Sequence, residues 1–196
     1  LHDDVQNILR TVKLKTHKEA HFRKRLAYLL QRYSNKIRLE EHVRAFLPRV
    51  EVVSIRHHRC HAANFLASPF DEAVVITWDG RGEFDTTVLW HGAGRDLERI
   101  ATVNHPHSIG SLYELFTDYI GFAPVSGPGK LMGLAAYGDD RFHGLFESLI
   151  AVAPDKFDYE LDPHHLFCSQ NEPLAARDAL TEVIGPRRNA GETLDD

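Results

Sequence analysis

An apolar hexapeptide is followed directly by an acidic, glycine-rich turn, and this pair of features narrows the possible folds more than any other part of the sequence. Residues 73–78 read AVVITW, and the turn sequence DGRG follows at once at 79–82. A short, nearly continuous apolar run bounded by turn residues is typical of a strand buried on both faces. In open α/β folds, ligands bind beyond the carboxyl ends of such strands. The sequence therefore predicts an α/β fold with a ligand site close to Asp79.

Further strands and helices are predicted along the chain. Short β-branched or apolar runs predict strands at 50–55, 86–91 and 97–103. Short glycine turns join the strands from residue 73 onwards, which favours an antiparallel meander. The rest of the sheet is predicted to be wound, so the sheet as a whole is expected to be mixed. Apolar residues at helical spacing predict helices, which fall at 57–66, 108–120, 130–137 and 141–151.

The first 48 residues are predicted to form a helical insertion or segment of the domain, and residues 49–196 its main part. Within the helical segment, residues 13–25 are strongly basic. A solvated helix face explains this charge, and a patch for an anionic ligand is the alternative. Both ends of the sequence look truncated, so we expect a fragment of a longer chain.

Composition limits the classes of protein that the chain can represent. Its 196 residues carry 23 basic and 28 acidic side chains, a net charge of −5, which argues against a protein built to coat nucleic acid. No apolar run approaches the roughly 18 residues of a membrane span. Two cysteines without CxxC spacing favour a reducing, cytoplasmic setting. Thirteen histidines raise the expectation of metal or phosphate chemistry.

The densest chemical motif is HHRCH at 57–61. On a helix, His57 and His61 are four positions apart and project from one face, so both imidazoles can reach one divalent ion. The thermolysin-type zinc motif requires Glu directly after the first histidine, and His58 stands there instead. The alternative is that these histidines only cap the helix. Cys60 is interpreted as a packing residue, with an activated thiolate as the alternative.

The turn at 79–82 is the second motif. Asp79 could hold a metal, while Gly80 and Gly82 would let backbone N–H groups approach a phosphate. The alternative is an ordinary hairpin turn in which the carboxylate of Asp79 accepts backbone hydrogen bonds.

The third motif is a glycine loop that leads to Lys130 at a predicted helix start. Helix N-termini bind anions, so Lys130 is a candidate for phosphate binding. The motif is not a P-loop, because Pro124 and Leu131 occupy positions where that motif needs Gly and Ser or Thr. No GxSxG nucleophile turn is present, and no catalytic residue is assigned.

Four blocks in order resemble the O-carbamoyltransferase family of antibiotic and nodulation-factor biosynthesis. This family shares its metal- and nucleotide-binding domain with the hydrogenase maturation carbamoyltransferase and with the tRNA threonylcarbamoylation protein. The resemblance extends over about 53–138. The blocks are HHRCHAANFLASPF (57–70), AVVITWDGRGEFDTT (73–87), HSIGSLYELFTDYIGF (107–122) and GKLMGLAAYG (129–138).

The resemblance implies a partial actin/Hsp70-like (ASKHA) ATPase domain. It implies that His57, His61 and Asp79 bind a divalent metal, iron or else zinc, manganese or magnesium. ATP would be the nucleotide. Further positions match the family's phosphate-facing turn or its lysine-methionine-glycine block, namely Gly80, Gly82, Lys130 and Gly133.

The implied reaction is the transfer of a carbamoyl group to a hydroxyl. Such enzymes use carbamoyl phosphate and ATP to make carbamoyl-adenylate, and the acceptor would be a small molecule or natural product. The missing C-terminal portion of the same chain would be required, so the fragment is expected to be inactive alone. One alternative is a metal- and ATP-binding module of a tRNA threonylcarbamoylation-type complex, and another is a degenerate, non-catalytic remnant. Neither a membrane nor nucleic acid is expected as a partner.

Overall fold

The structure, a computed structural model, describes residues 39, 41–162 and 180–193. It divides into two compact units, Leu1–Arg56 and His57–Asp196. In the first unit, residues 41–46 form a helix (α1), in agreement with the predicted helical segment. The part of that segment up to residue 38, with the basic stretch at 13–25, lies outside the described residues, as does Cys168. The predicted domain boundary at 48/49 stays a prediction.

The predicted strand at 50–55 is wrong. These residues are described without helix or strand, and Val50, Val53 and Ile55 are exposed. The β preference of branched side chains is realised only when a strand packs and pairs with a neighbour. In the described structure these residues have no such pairing.

The second unit is built on an antiparallel meander of β1 (Glu72–Trp78), β2 (Asp85–Ala93) and β3 (Asp96–Asn104). The order is β1-β2-β3, with Trp78 opposite Thr87 at one end of the first pair. The β2–β3 turn contains Gly94 at φ 58°, a left-handed conformation that glycine adopts without a Cβ penalty. The predicted meander is confirmed.

The prediction that β1 is buried on both faces is wrong. Its side chains at Val74, Ile76 and Trp78 are 70%, 47% and 64% exposed. In the described sheet β1 pairs only with β2, so it is an edge strand, and no described element covers the face that carries these three apolar side chains. The apolar run therefore predicted the strand correctly, but it did not predict that one face of the strand is exposed.

Four helices follow the predicted positions closely. α2 (His57–Ala62) continues as a 3₁₀ turn over Ala63–Ala67. α3 (Ile109–Tyr119) begins after Ser108, whose side chain accepts a hydrogen bond from the Ser111 N–H as an N-cap. α4 (Pro128–Leu134) and its following 3₁₀ turn Ala135–Tyr137 precede α5 (His143–Leu149).

The predicted continuation of the last helix to residue 151 is wrong. Ile150–Val152 forms β4, which pairs antiparallel with β5 (Tyr159–Leu161). A last helix, α6, spans 180–184. The core of the unit joins β3, α3, α5, β5 and α6 through buried apolar residues: Val103, Leu112, Leu115, Tyr119, Leu149, Tyr159, Leu161 and Leu180.

The described chain is therefore a mixed α/β structure with antiparallel sheets. A parallel strand pair, which the predicted mixed sheet requires, is not among the described strand pairs. None of the described helices has both the length and the apolar character that crossing a membrane would require.

Candidate metal centre

Three predicted site residues meet at one point. The Nε2 atom of His57 lies 2.6 Å from Oδ2 of Asp79, and Nε2 of His61 lies 3.3 Å from the same oxygen. The two Nε2 atoms are 3.0 Å apart. Each side chain remains between 39% and 50% exposed, so the cluster faces the surface of its unit.

The local structure explains why these side chains converge. His57 and His61 are one helical turn apart on α2 and therefore share a face. Asp79 comes directly after β1, and its N–H still donates to the carbonyl of Thr86 at 2.9 Å. This hydrogen bond extends the β1–β2 pairing by one residue and fixes where the carboxylate leaves the sheet.

The electrostatics keep Asp79 ionised. Partial burial raises the pKa of its carboxyl, whereas hydrogen bonds from His57 and from the Gly80 N–H lower it. The positive charges that His57 and His61 carry when protonated act in the same direction. The net result is a pKa below the ordinary aspartate value.

The three ligand atoms fit a divalent metal ion. All lie within 4.8 Å of one another. For metal–ligand bonds of about 2.1 Å, neighbouring ligand atoms lie about 3.0 Å apart at right angles and about 3.4 Å apart in a tetrahedron. Two of the observed separations, 3.0 and 3.3 Å, lie within this range, whereas the third, 2.6 Å between His57 and Asp79, is shorter and is a hydrogen-bond distance. Two imidazoles and one carboxylate are a common ligand set for such ions.

Gly80 and Gly82 occupy different environments. The N–H of Gly80 donates to Oδ1 of Asp79 at 2.6 Å, and that of Gly82 donates to the carbonyl of Asp85 at 2.8 Å. A Cβ on Gly80 would meet its nearest atoms only at 3.9 Å. A Cβ on Gly82 would lie 2.8 Å from Cδ2 of His58, so Gly82 is required for packing against α2.

The start of α3 holds the Asp79–Gly80 peptide, which the sequence interpretation missed. The Ser108 hydroxyl lies 3.0 Å from the carbonyl oxygen of Asp79 and 2.8 Å from that of Gly80. A Cβ on Gly110 would lie 2.5 Å from the carbonyl carbon of Asp79. The signal was present in the sequence as a serine, two residues before a glycine, at a predicted helix start.

Glu114 was also missed. One turn beyond Gly110, its half-buried carboxyl lies beside Gly80. Burial raises the pKa of Glu114, and the negative charge of Asp79 raises it further. Sequence spacing gave no signal for this approach, because helix and turn are far apart in the chain.

His58, between the two candidate ligands, is 1% exposed. Its Nδ1 lies 2.9 Å from Oγ1 of Thr77 and its Nε2 lies 3.0 Å from the carbonyl oxygen of Asp85. Burial lowers the pKa of His58, although the hydrogen bond to the Asp85 carbonyl and the charge of Asp85 oppose this. His58 therefore stays neutral at physiological pH.

Lys130 and Gly133 do not join the cluster. Both lie on α4 and are exposed, with the Nζ of Lys130 5.8 Å from the centroid of the Phe122 ring. Their role in phosphate binding stays a prediction. Cys60 is exposed as a free thiol, so its interpretation as a packing residue is wrong.

Comparison with known proteins places these features in a family. The profile of the family described as "Carbamoyltransferase N-terminus" matches residues 1–192. An uncharacterized protein of Synechocystis sp. is 52% identical over 101 residues, which cover 50% of this chain and 16% of that protein. Nodulation protein NolNO of Sinorhizobium fredii is 38% identical over 95 residues, which cover 47% of this chain and 14% of that protein.

A second nodulation protein matches a similar share of the chain. NolO of Bradyrhizobium diazoefficiens is 33% identical over 94 residues, 47% of this chain and 17% of that protein. The matched segments are therefore a small part of each relative's length. The family match, in contrast, extends over nearly the whole sequence. The chain belongs to the carbamoyltransferase N-terminus family.

Proposed function

We propose that this chain is the metal- and nucleotide-binding part of an O-carbamoyltransferase. The reaction uses carbamoyl phosphate and ATP to form carbamoyl-adenylate and passes the carbamoyl group to a hydroxyl of a small molecule or natural product. The observation that carries the proposal is the convergence of His57, His61 and Asp79 on one point, within a chain of the carbamoyltransferase family.

The three side chains would hold iron or another divalent ion. When bound, such an ion neutralises charge on phosphate oxygens and acts as a Lewis acid on the activated carbamoyl group. His57 and His61 would each supply one nitrogen ligand, and Asp79 would supply a negatively charged oxygen. Because only three protein ligands are offered, coordination positions remain for phosphate oxygens, which are hard ligands.

Gly80 supports a phosphate site next to this centre. It adjoins Asp79 and carries no side chain, so a phosphate group can approach the backbone there. Gly82 contributes indirectly, because its missing side chain lets the turn pack on His58. Lys130 and Gly133 are proposed to bind the nucleotide from α4, where the exposed ammonium of Lys130 is available for a phosphate.

Turnover is proposed to require the rest of a longer protein. The chain covers only a small part of its matched relatives, and we assign acceptor binding and formation of the adenylate to the remaining portion. The test therefore uses the full-length protein, loaded with Fe²⁺ under anaerobic conditions. Formation of carbamoyl-adenylate releases the phosphate of carbamoyl phosphate and the pyrophosphate of ATP, and transfer of the carbamoyl group to the hydroxyl then releases AMP.

The measured quantity is pyrophosphate released from ATP with and without carbamoyl phosphate. In the wild type we expect pyrophosphate release that depends on carbamoyl phosphate. In His57→Ala and Asp79→Asn this release should fall at least about a hundredfold, because removing a group that only supports a ligand already lowers metal affinity or activity 10- to 100-fold. His91→Ala, which removes a partly exposed histidine paired with Glu72, is the matched control and should retain activity. Metal and ATP binding without carbamoyl-phosphate-dependent release would favour the threonylcarbamoylation-type module instead.

A further inference from the structure

His58 has a different environment from the two histidines that flank it on α2. His57 and His61 point to the exposed cluster, whereas His58 is 1% exposed. Successive helical residues are rotated by about 100°, so the residue after His57 points away from the ligand face. On this helix that direction faces the sheet, where a polar ring requires hydrogen-bond partners.

Both ring nitrogens of His58 have such a partner. The carbonyl oxygen of Asp85, 3.0 Å from Nε2, can only accept, so Nε2 carries the proton and donates. In the neutral ring, Nδ1 then accepts from the hydroxyl of Thr77 at 2.9 Å. The Thr77 oxygen in turn accepts from the indole N–H of Trp90 at 3.1 Å. The hydrogen bonds run in one direction, from Trp90 through Thr77 to His58 and on to Asp85.

This chain of hydrogen bonds ends beside the candidate metal centre. Thr77 is two residues before Asp79, at the end of β1. Asp85 is the first residue of β2, directly after the turn that carries Asp79 and Gly82. The missing Cβ of Gly82 leaves room for the His58 ring, 2.8 Å from where that Cβ would lie. His58 thus joins the helix of the two imidazoles to both ends of the turn that carries the carboxylate.

We propose that His58 is a positioning residue that fixes the spacing between the imidazoles of His57 and His61 and the carboxylate of Asp79, and that it does not bind the metal itself. The inference rests on the proposed metal centre. α2 has six residues, and a helix this short is held in place by tertiary contacts. Of the polar contacts described for α2, those of His58 are made with residues of the sheet, Thr77 of β1 and Asp85 of β2.

The test is a titration of the full-length apo-protein with Co²⁺. The visible absorption of bound Co²⁺ reports its ligand geometry. His58→Leu removes both hydrogen bonds, His58→Gln restores a side-chain donor for the Asp85 carbonyl, and Thr77→Val removes the hydroxyl without a large change in shape. Thr77→Ser keeps the hydroxyl and is the conservative rescue. Tyr119→Phe removes a buried hydroxyl that donates to Gly185, at the far end of α3, and is the matched structural control.

We expect His58→Leu and Thr77→Val to weaken Co²⁺ binding by about tenfold, the lower end of the effect of losing a group that is bonded directly to a ligand, and to change the spectrum. His58→Gln should lose less affinity than His58→Leu. Thr77→Ser and Tyr119→Phe should keep the wild-type affinity and spectrum. A merely structural role would lower the melting temperature of these variants without changing the spectrum.

The outcomes separate this inference from the metal centre on which it rests. If the wild type binds no Co²⁺, or a His57→Ala/His61→Ala variant binds it as well as the wild type does, the metal centre itself is wrong. If the wild type binds Co²⁺ and the folded His58→Leu variant keeps its affinity and spectrum, the positioning role is overturned. If His58→Leu does not fold, Thr77→Val and Thr77→Ser are compared instead. Equal Co²⁺ affinity and equal spectra in these two folded variants would overturn the positioning role.

Discussion

Gly110 packs directly against the backbone of Asp79, a candidate metal ligand 31 positions earlier in the chain. A Cβ on Gly110 would lie 2.5 Å from the carbonyl carbon of Asp79 and 2.7 Å from its carbonyl oxygen. Both neighbouring atoms are backbone, so neither can rotate away as a side chain can. The start of α3 and the end of β1 therefore approach as closely as they do only because residue 110 has no side chain.

Gly110→Ala is expected to destabilise the protein by about 2 to 3 kcal/mol or more, because the added methyl group overpacks a rigid backbone contact. The measurement is chemical denaturation of both proteins. Gly144→Ala, in α5 with nothing within 4 Å of the new Cβ, is the matched control and should be neutral or slightly stabilising. Equal stability of Gly110→Ala and the wild type would contradict the close approach.

Removal of any one candidate ligand should abolish tight metal binding without unfolding the protein. His57, His61 and Asp79 are partly exposed, so truncation leaves no large cavity. We expect His57→Ala, His61→Ala and Asp79→Ala each to reduce affinity for Zn²⁺ by more than about a hundredfold, since outer partners alone contribute 10- to 100-fold. Isothermal titration calorimetry measures the affinity, and circular dichroism checks the fold. Undiminished affinity in all three variants would exclude the site.

Metal affinity should fall as the pH is lowered from 7 to 5. Hydrogen bonds and the neighbouring imidazoles hold the pKa of Asp79 below its ordinary value, so its carboxylate stays ionised throughout this window. The imidazoles must be unprotonated to bind a metal, and protons therefore compete with the ion as the pH falls. A competition titration with a chelator of known pH dependence measures this effect. Affinity that is constant from pH 5 to 8 would rule out a ligand set of two histidines.

Gly80→Ala should separate a nucleotide role from a structural one. A Cβ at this position meets nothing closer than 3.9 Å, so the variant should keep the stability of the wild type. If a phosphate approaches the backbone at Gly80, the methyl group should weaken ATP binding by about tenfold or more, as a steric obstacle to that contact. Gly133→Ala, which also adds a methyl into open space, tests the proposed contribution of α4 in the same way.

Both results are read by equilibrium binding of ATP to the metal-loaded full-length protein. Gly144→Ala serves again as the control that should not change ATP affinity. Unchanged ATP affinity in Gly80→Ala would remove that glycine from the phosphate site and leave it as an ordinary turn residue. Unchanged ATP affinity in Gly133→Ala would exclude Gly133 of α4 from the nucleotide site.

Much of the local structure followed from spacing alone. The β1–β2–β3 meander and α3 were predicted because apolar runs bounded by turn residues and helical periodicity are properties of neighbouring residues. His57 and His61 were selected because positions four apart share a helix face, and Asp79 because it ends an apolar strand. Such patterns do not say which distant segment covers a strand. For this reason the predicted strand at 50–55 and the two-sided burial of β1 were wrong.

The order of residues along the chain is enough to identify the side chains available for the chemistry: two imidazoles one turn apart and a carboxylate at a strand end. Their meeting point, with Nε2 of His61 3.3 Å from Oδ2 of Asp79, depends on the folded arrangement. The same arrangement decides that His58 points inward and that Gly110 touches the backbone of Asp79. The reason is physical: periodicity is set by the backbone over a few residues, whereas these distances depend on how separate elements pack against one another.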